Sequence, residues 1–177
     1  MPVDPAFIAG LPKAELHVHH VGSASPRIVS ELARRHPGTV PDDPEELRRF
    51  FEFRDFAHFI EVYLAVVDLV RTPEDVRVLT YEVAREMATE QSLRYAELTC
   101  TPYTSVRPHE DGVGMPIEAY TEALMETSTD RAPWYVIPAD RKWYRNWAIL
   151  TVLNETMARL DPQFPPEESG LDDIVIT

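Results

Sequence analysis

The chain has 177 residues, a formal net charge of −13 and one cysteine, Cys100. Its acidic balance argues against nucleic acid or an anionic membrane as a partner, because both select Lys/Arg patches. One cysteine excludes an internal disulfide and a cysteine zinc cluster. With no signal peptide and no apolar run long enough to cross a bilayer, we expect a cytoplasmic protein of one domain or slightly more.

The first predicted element is a β-strand over residues 12–20, a short run with period-two alternation bounded by glycines. Residues two apart on a strand share a face, so we expect His17 and His19 to project together, with Leu16 and Val18 facing the opposite layer. Two imidazoles on one strand face can converge on a metal ion. The alternative is a pair of polar residues on a solvated strand face.

The string Lys-x-Glu-Leu-His-x-His-x-x-Gly, from Lys13 to Gly22, resembles the first strand of the adenosine/AMP deaminase family. The resemblance extends over about residues 11–102. It implies a (β/α)8 barrel in which His17 and His19 hold zinc and a purine nucleoside is the substrate. Such a barrel needs roughly 200 residues at the least, so we expect only its first strands and inserted helices.

Two positions after the histidine pair indicate a subtype of that family. Common members have leucine and then an acidic residue there, whereas this chain has His20 and Val21. In nucleoside-specific members the acidic residue accepts a hydrogen bond from the 5′ hydroxyl, which valine cannot do. The resemblance therefore favours a 5′-deoxy substrate, as in the aminodeoxyfutalosine deaminases, over plain adenosine.

Capping signals at Ser25, Asp43 and Thr72 predict three helix starts, each followed by proline. A further long helix is predicted over about 55–71. Its apolar residues recur at three- and four-residue spacing and include Phe56, Phe59, Ile60, Tyr63, Leu64 and Val67.

The family resemblance places Phe56, Phe59 and Ile60 over the purine, with Gly22 also at the substrate. The alternative is that the three helical residues belong to the core. A second strand is predicted over 93–100, and the helical crossover before it implies parallel pairing.

Residues 104–115 are expected to form a loop and 116–127 a short amphipathic helix. The sequence then predicts a strand over 132–140 and a long helix, capped by Asp140, that runs to about Leu160. The acidic, proline-rich tail after this helix is expected to be extended or mobile.

The segment from Ala132 to Trp147 resembles the C-terminal end of the family-2 polyphosphate kinases, over about residues 127–177. That resemblance implies a P-loop α/β fold. The predicted fold class is therefore α/β, a partial (β/α)8 barrel joined to a strand and a long helix from a kinase-like fold. The expected boundaries are a barrel region at 1–115, a junction helix at 116–130, a kinase-like region at 131–162 and a tail at 163–177.

Neither parent chemistry is complete in the sequence. The later histidine, the late aspartate and the His-Ala-Gly-Glu-like motif that the deaminase resemblance implies have no counterpart, so we assign no catalytic residue and expect zinc to be weakly held or lost. No glycine is followed by lysine, so a phosphate-binding G-x-x-x-x-G-K loop is absent.

We therefore expect a hybrid or truncated protein, derived from a zinc-dependent purine nucleoside deaminase, that lacks activity alone. One alternative is a polyphosphate:nucleotide phosphotransferase-related protein. Another is a non-catalytic fusion remnant or interaction protein, which would self-associate through exposed strand edges.

Overall fold

The computed structural model describes residues 4–38, 40–106 and 114–163. The chain divides into two compact units, the first ending at Trp134 and the second beginning at Tyr135. The elements in chain order are α1 (Pro5–Gly10), β1 (Lys13–His19), a 3-10 turn (Val21–Ser23), α2 (Pro26–Arg35), α3 (Pro44–Phe50), α4 (Phe56–Val67), α5 (Pro73–Thr89), β2 (Leu93–Thr99), α6 (Tyr103–Val106), α7 (Ile117–Met125) and α8 (Lys142–Leu160).

The predicted helix starts are confirmed. The side chains of Ser25, Asp43 and Asp55 accept hydrogen bonds from backbone N–H groups in the first turns of α2, α3 and α4. Thr72 and Asp75 form a reciprocal capping box at the start of α5. These short-range signals depend only on neighbouring residues, which is why the sequence located them well.

β1 and β2 pair in parallel, as predicted, and form a two-stranded sheet. The register advances three residues on β1, from Glu15 to Val18, against two on β2. This extra residue is a β-bulge, and His17 within it has a φ of 59°, in the left-handed region. The bulge breaks the expected alternation: Val18 packs on the core, whereas Leu16 is 63% exposed.

The core of the first unit lies where α5 packs against α2 and α7. Its fully enclosed apolar side chains are Ile28, Val29, Leu32, Leu47, Val76, Leu79 and Ala123. The predicted apolar stripe of α4 is mostly not part of it, because the buried residues of that helix are Val62, Val66 and Val67. α4 is apolar nearly all round, so periodicity alone did not identify its buried face.

A buried carboxylate ties α2 to the start of α5. Asp75 accepts hydrogen bonds of 2.7 Å from Arg35 Nε and of 2.8 Å from the Thr72 backbone N–H, and its Oδ2 lies 2.7 Å from His36 Nε2. Burial raises the pKa of Asp75, but these hydrogen bonds outweigh it and hold the pKa below its ordinary value.

The strand predicted over 132–140 is wrong, because the structure has no strand there. A strand needs a neighbour to accept and donate its backbone hydrogen bonds, and no described strand pairs with this segment. Asp140 is also not the cap of the long helix: α8 begins at Lys142 after Arg141, which makes no side-chain capping bond.

The predicted loop over 104–115 contains the last residues of the one-turn helix α6, and its part from 107 to 113 lies outside the described residues. The expected mobile tail lies almost wholly outside them. Within the described ranges, no helix has the length and apolar character needed to span a membrane.

Candidate functional site

A groove of about 740 Å³ opens beside the C-terminal half of β1. Its walls are the end of β1, the 3-10 turn after it, the segment between α3 and α4, and one face of α4. Five of the six site residues predicted from the sequence line this groove: His17, His19, Gly22, Phe59 and Ile60. The fold therefore brings together positions that are more than 40 residues apart in the chain.

Phe56 is the predicted site residue that does not line the groove. Its side chain is 76% exposed, and its ring stacks on Phe59 with centroids 5.9 Å apart. It lies in the first turn of α4, one turn before Phe59.

The rings of His17 and His19 lie with centroids 5.5 Å apart and nearly perpendicular, at 87°. Two imidazoles that share one tetrahedral ion have centroids about 5 Å apart, given a metal–nitrogen distance of about 2 Å. The observed separation is therefore compatible with two ligands of one ion. The bulge at His17 brings the rings together even though the strand alternation is broken.

A zinc site needs at least three protein ligands, and usually four when its role is structural. Within residues 4–38, 40–106 and 114–163, no group of three His, Cys, Asp or Glu side chains could hold a metal ion. The described donors therefore do not fit a complete zinc site. Chemistry that depends on a metal-activated water has no full ligand set in this part of the chain.

The groove that the histidine pair lines also has an aromatic wall, formed by Phe51, Phe53, Phe59 and Tyr63. Phe53 meets Phe59 edge to face at 5.2 Å, and Tyr63 stacks on Phe59 at 6.2 Å. Such a wall offers faces and edges to a planar heteroaromatic ligand. The sequence analysis did not assign Phe51 or Phe53 to the site, although the run Phe-Phe-Glu-Phe at 50–53 was a signal that could have indicated them.

Gly22 lies between the histidine pair and the aromatic wall. A Cβ at this position would be 3.4 Å from the Cβ of His19 and 3.7 Å from a ring carbon of Tyr63. Both distances are ordinary van der Waals contacts, so a methyl group would fit. Glycine here leaves open the space that such a group would fill.

The two residues that distinguish this chain from common deaminases have different environments. His20 is buried, with Nε2 3.1 Å from Thr80 Oγ1 and Nδ1 3.4 Å from Cys100 Sγ. Burial lowers the pKa of His20 to about 4 and raises that of Cys100 to about 11, so both are neutral at pH 7. Val21 lines the groove and packs on the core, presenting methyl groups to the groove.

Trp134, the last residue of the first unit, packs against the core of that unit. Its ring lies 5.9 Å from the ring of His20, and its indole N–H donates a 3.0 Å hydrogen bond to Thr127 Oγ1. Trp134 therefore touches the residue that follows the histidine pair, from a point more than 110 residues later in the chain.

Comparison with known proteins gives two family matches. The adenosine deaminase family model matches residues 12–133, and the polyphosphate kinase 2 family model matches residues 116–165. Both resemblances inferred from the sequence are thereby confirmed. The two matches overlap between 116 and 133, a range that includes α7.

Individual relatives also match either the deaminase-like or the kinase-like part of the chain. The chain is 76% identical over 103 residues to aminodeoxyfutalosine deaminases of Streptomyces avermitilis and Streptomyces coelicolor, alignments that cover 58% of this chain. It is 52% identical over 59 residues, a third of its length, to an AMP/ADP-polyphosphate phosphotransferase of Meiothermus ruber. The crystal structure of adenine deaminase from Arthrobacter aurescens matches 84% of the chain with a TM-score of 0.51 and 26% identity.

The chain spans only part of each relative. Its alignments cover 28% and 26% of the two aminodeoxyfutalosine deaminases, 22% of the phosphotransferase and 45% of the adenine deaminase chain.

Proposed function

This chain belongs to the adenosine deaminase family, and we propose that its groove is the purine-facing part of a nucleoside deaminase site. The observation that carries the proposal is the convergence of His17, His19, Gly22, Phe59 and Ile60 on one groove. In this proposal the aromatic wall packs on the purine ring, and the two imidazoles are the side chains that would bind a metal ion at the other end of the site.

The proposed ligand is a purine nucleoside of the aminodeoxyfutalosine type, with no hydroxyl at its 5′ carbon. Val21 supports this choice, because its methyl groups line the groove where an acceptor would be needed for a 5′ hydroxyl. Valine offers no acceptor at this position, so a 5′ hydroxyl placed against it is left unpaired and is disfavoured. The identity to the two Streptomyces enzymes supports the same choice.

We further propose that β1 and β2 are the opening strands of a partial barrel, and that the chain lacks deaminase activity alone. The incomplete donor set among the described residues supports this, since two imidazoles hold zinc weakly. What the residues of this chain do is bind and orient: the aromatic wall packs on the base, and Val21 selects the sugar.

One experiment tests the binding and the inactivity together. Isothermal titration of the purified chain with a 5′-deoxyadenosine-type nucleoside should give weak binding that Phe59→Ala abolishes and that Tyr81→Ala, an exposed aromatic outside the groove, leaves unchanged. Zinc content by native mass spectrometry should be substoichiometric. Release of ammonia from any aminopurine nucleoside, lost in His17→Ala, would refute the proposed inactivity, and identical binding by Phe59→Ala would refute the proposed groove.

A second candidate function, phosphoryl transfer from polyphosphate to a nucleotide, comes from the match over residues 116–165. We propose that this segment has no kinase activity by itself, because no glycine in the chain is followed by the lysine that a phosphate-binding loop requires. Transfer of radiolabel from polyphosphate to AMP or ADP by the pure protein would contradict this.

A further inference from the structure

The helix α8 is unusual because none of its 19 residues is buried. Its exposed apolar side chains include Trp143 at 67%, Trp147 at 58% and Leu150 at 65%. Most of the stability of a helix in a protein comes from packing its apolar face, and monomeric soluble proteins rarely expose large contiguous apolar patches. This face is therefore a surface that another molecule is expected to cover.

Five of the eight exposed large apolar residues of α8 lie on one stripe. Taking 100° per residue, the side chains within about 60° of Leu150 are Trp143, Asn146, Trp147, Leu153, Asn154 and Met157. These six occur in pairs at equal distances on either side of Leu150, at three, four and seven residues. We call this set, with Leu150, the α8 stripe.

The side chains of the α8 stripe match those of a second α8 stripe that runs in the opposite direction. In two antiparallel copies that cross at Leu150, the residue k positions before Leu150 lies level with the residue k positions after it in the other copy. Trp147 then lies level with Leu153 of the second copy, and Trp143 with Met157. Each large indole is thus placed beside a smaller aliphatic side chain, an arrangement that fills space without overpacking.

The two asparagines of the stripe are also matched by this arrangement. Asn146 lies level with Asn154 of the second copy, and a buried amide is tolerated only when it is hydrogen-bonded. The Asn146 side-chain oxygen already accepts bonds of 3.2 and 3.0 Å from the Arg145 guanidinium. Its amide N–H groups are left to donate to the Asn154 oxygen of the second copy.

Charge favours the antiparallel over the parallel arrangement. The N-terminal end of α8 carries Arg141, Lys142 and Arg145 beside Asp140, a net charge of +2, whereas Glu155, Arg159 and Asp161 toward its C-terminal end give a net charge of −1. A parallel pair would place the three basic residues of one copy beside the same three of the other. It would also place each indole beside the same indole of the second copy. An antiparallel pair places the basic end beside the acidic end and also opposes the two helix dipoles.

We propose that two copies of this chain associate through the α8 stripe as an antiparallel, two-fold symmetric helix pair. No residue of the α8 stripe lines the groove or belongs to β1 or β2, so the proposal does not depend on the proposed function. The association is isologous and closed, giving a dimer and no larger assembly.

Sedimentation equilibrium of the full chain tests the association. The wild-type protein at about 100 µM should have twice the mass of the chain, and Leu150→Glu should have the mass of one. Arg159→Glu, on the far side of the helix, is the control that changes charge without touching the stripe and should remain dimeric. A wild-type monomer, or a Leu150→Glu dimer with unchanged affinity, would overturn the proposal.

A pair of double variants tests the orientation. Asn146→Lys with Asn154→Glu places lysine level with the partner's glutamate in an antiparallel pair, but like charges together in a parallel one. Asn146→Lys with Asn154→Lys places lysines together in either orientation and should weaken association by about a hundredfold. Far-UV circular dichroism confirms that each variant is helical. Equal weakening by both double variants would overturn the antiparallel arrangement.

Discussion

The two units of this chain use similar sequence signals with different results. In the unit ending at Trp134, amphipathic helices close around a core in which Leu32, Leu47 and Leu79 are fully enclosed. In the unit beginning at Tyr135, the longest helix of the described chain buries no residue. Periodicity indicates which face of a helix is apolar, but only the presence of a complementary surface makes that face a core.

The largest expected effect comes from matched truncations in the two units. Leu79→Ala removes a fully enclosed side chain from α5 and should lower the free energy of unfolding by about 3 kcal/mol. Leu150→Ala removes the same atoms from an exposed position and should cost less than about 1 kcal/mol at protein concentrations of about 1 µM. Urea unfolding measures both. Similar losses of unfolding free energy in the two variants would show that Leu150 is enclosed. The two units would then not differ in how they bury their apolar helix faces.

The second prediction concerns the polar tie within the first unit. Asp75→Asn keeps the shape of the side chain but removes the negative charge that faces Arg35 and His36. We expect a loss of about 2 kcal/mol at pH 7, discounted because Arg35 is partly exposed. Arg48→Gln, which breaks exposed ion pairs with Glu45 and Glu52, is the control and should change stability by less than about 0.5 kcal/mol.

The same carboxylate gives a pH dependence with a definite sign. The pKa of Asp75 is lower in the folded than in the unfolded chain, so its contribution to stability is complete above the unfolded pKa of about 3.9. That contribution is lost as the pH falls through the folded pKa. Unfolding free energies measured between pH 6 and pH 2 should fall more steeply for the wild type than for Asp75→Asn. Parallel curves would contradict this assignment.

A smaller effect is expected at the boundary between the two family matches. Trp134 lies outside the deaminase match and inside the kinase match, yet it packs on the core and on His20. Trp134→Ala should therefore destabilise the first unit by about 1–2 kcal/mol, less than a full truncation because the side chain is partly exposed. Tyr135→Ala, one residue later and exposed, is the control. Equal effects of the two variants would mean that the Trp134 side chain does not stabilise the core of the first unit.

The smallest expected effect on stability is also the most informative about the groove. Gly22→Ala should change the free energy of unfolding by less than about 0.5 kcal/mol, because its methyl group would meet only ordinary contacts. The same methyl group would occupy space beside His19 and Tyr63, so nucleoside binding should weaken at least tenfold. Unchanged nucleoside binding, measured by the same titration, would show that the ligand does not lie beside Gly22.

Local signals carried most of what the sequence predicted correctly. The caps at Ser25, Asp43 and Thr72 act through bonds to residues two or three positions away, so no knowledge of the tertiary structure was needed. The parallel pairing of the two strands followed from the length of the crossover. All six candidate site residues came from the family resemblance, and five of them line one groove, whereas their roles stay predictions.

The errors share one physical cause, which is dependence on distant partners. Residues 132–140 have the composition of a strand, but strand formation requires neighbouring backbone, and none of the described strands supplies it. The buried face of α4 was misassigned because a helix that is apolar on several sides is oriented by what surrounds it. The bulge at His17 was also not predictable, because it depends on the register against β2.

That bulge has a consequence for how the chain would respond to selection. A residue other than glycine pays about 1 kcal/mol or more for a φ of 59°, so the fold by itself favours glycine at position 17. A library screened only for resistance to heat should accumulate His17→Gly, whereas one screened for metal uptake should retain the imidazole. Which residue survives under each screen would reveal whether this position serves the architecture or a ligand.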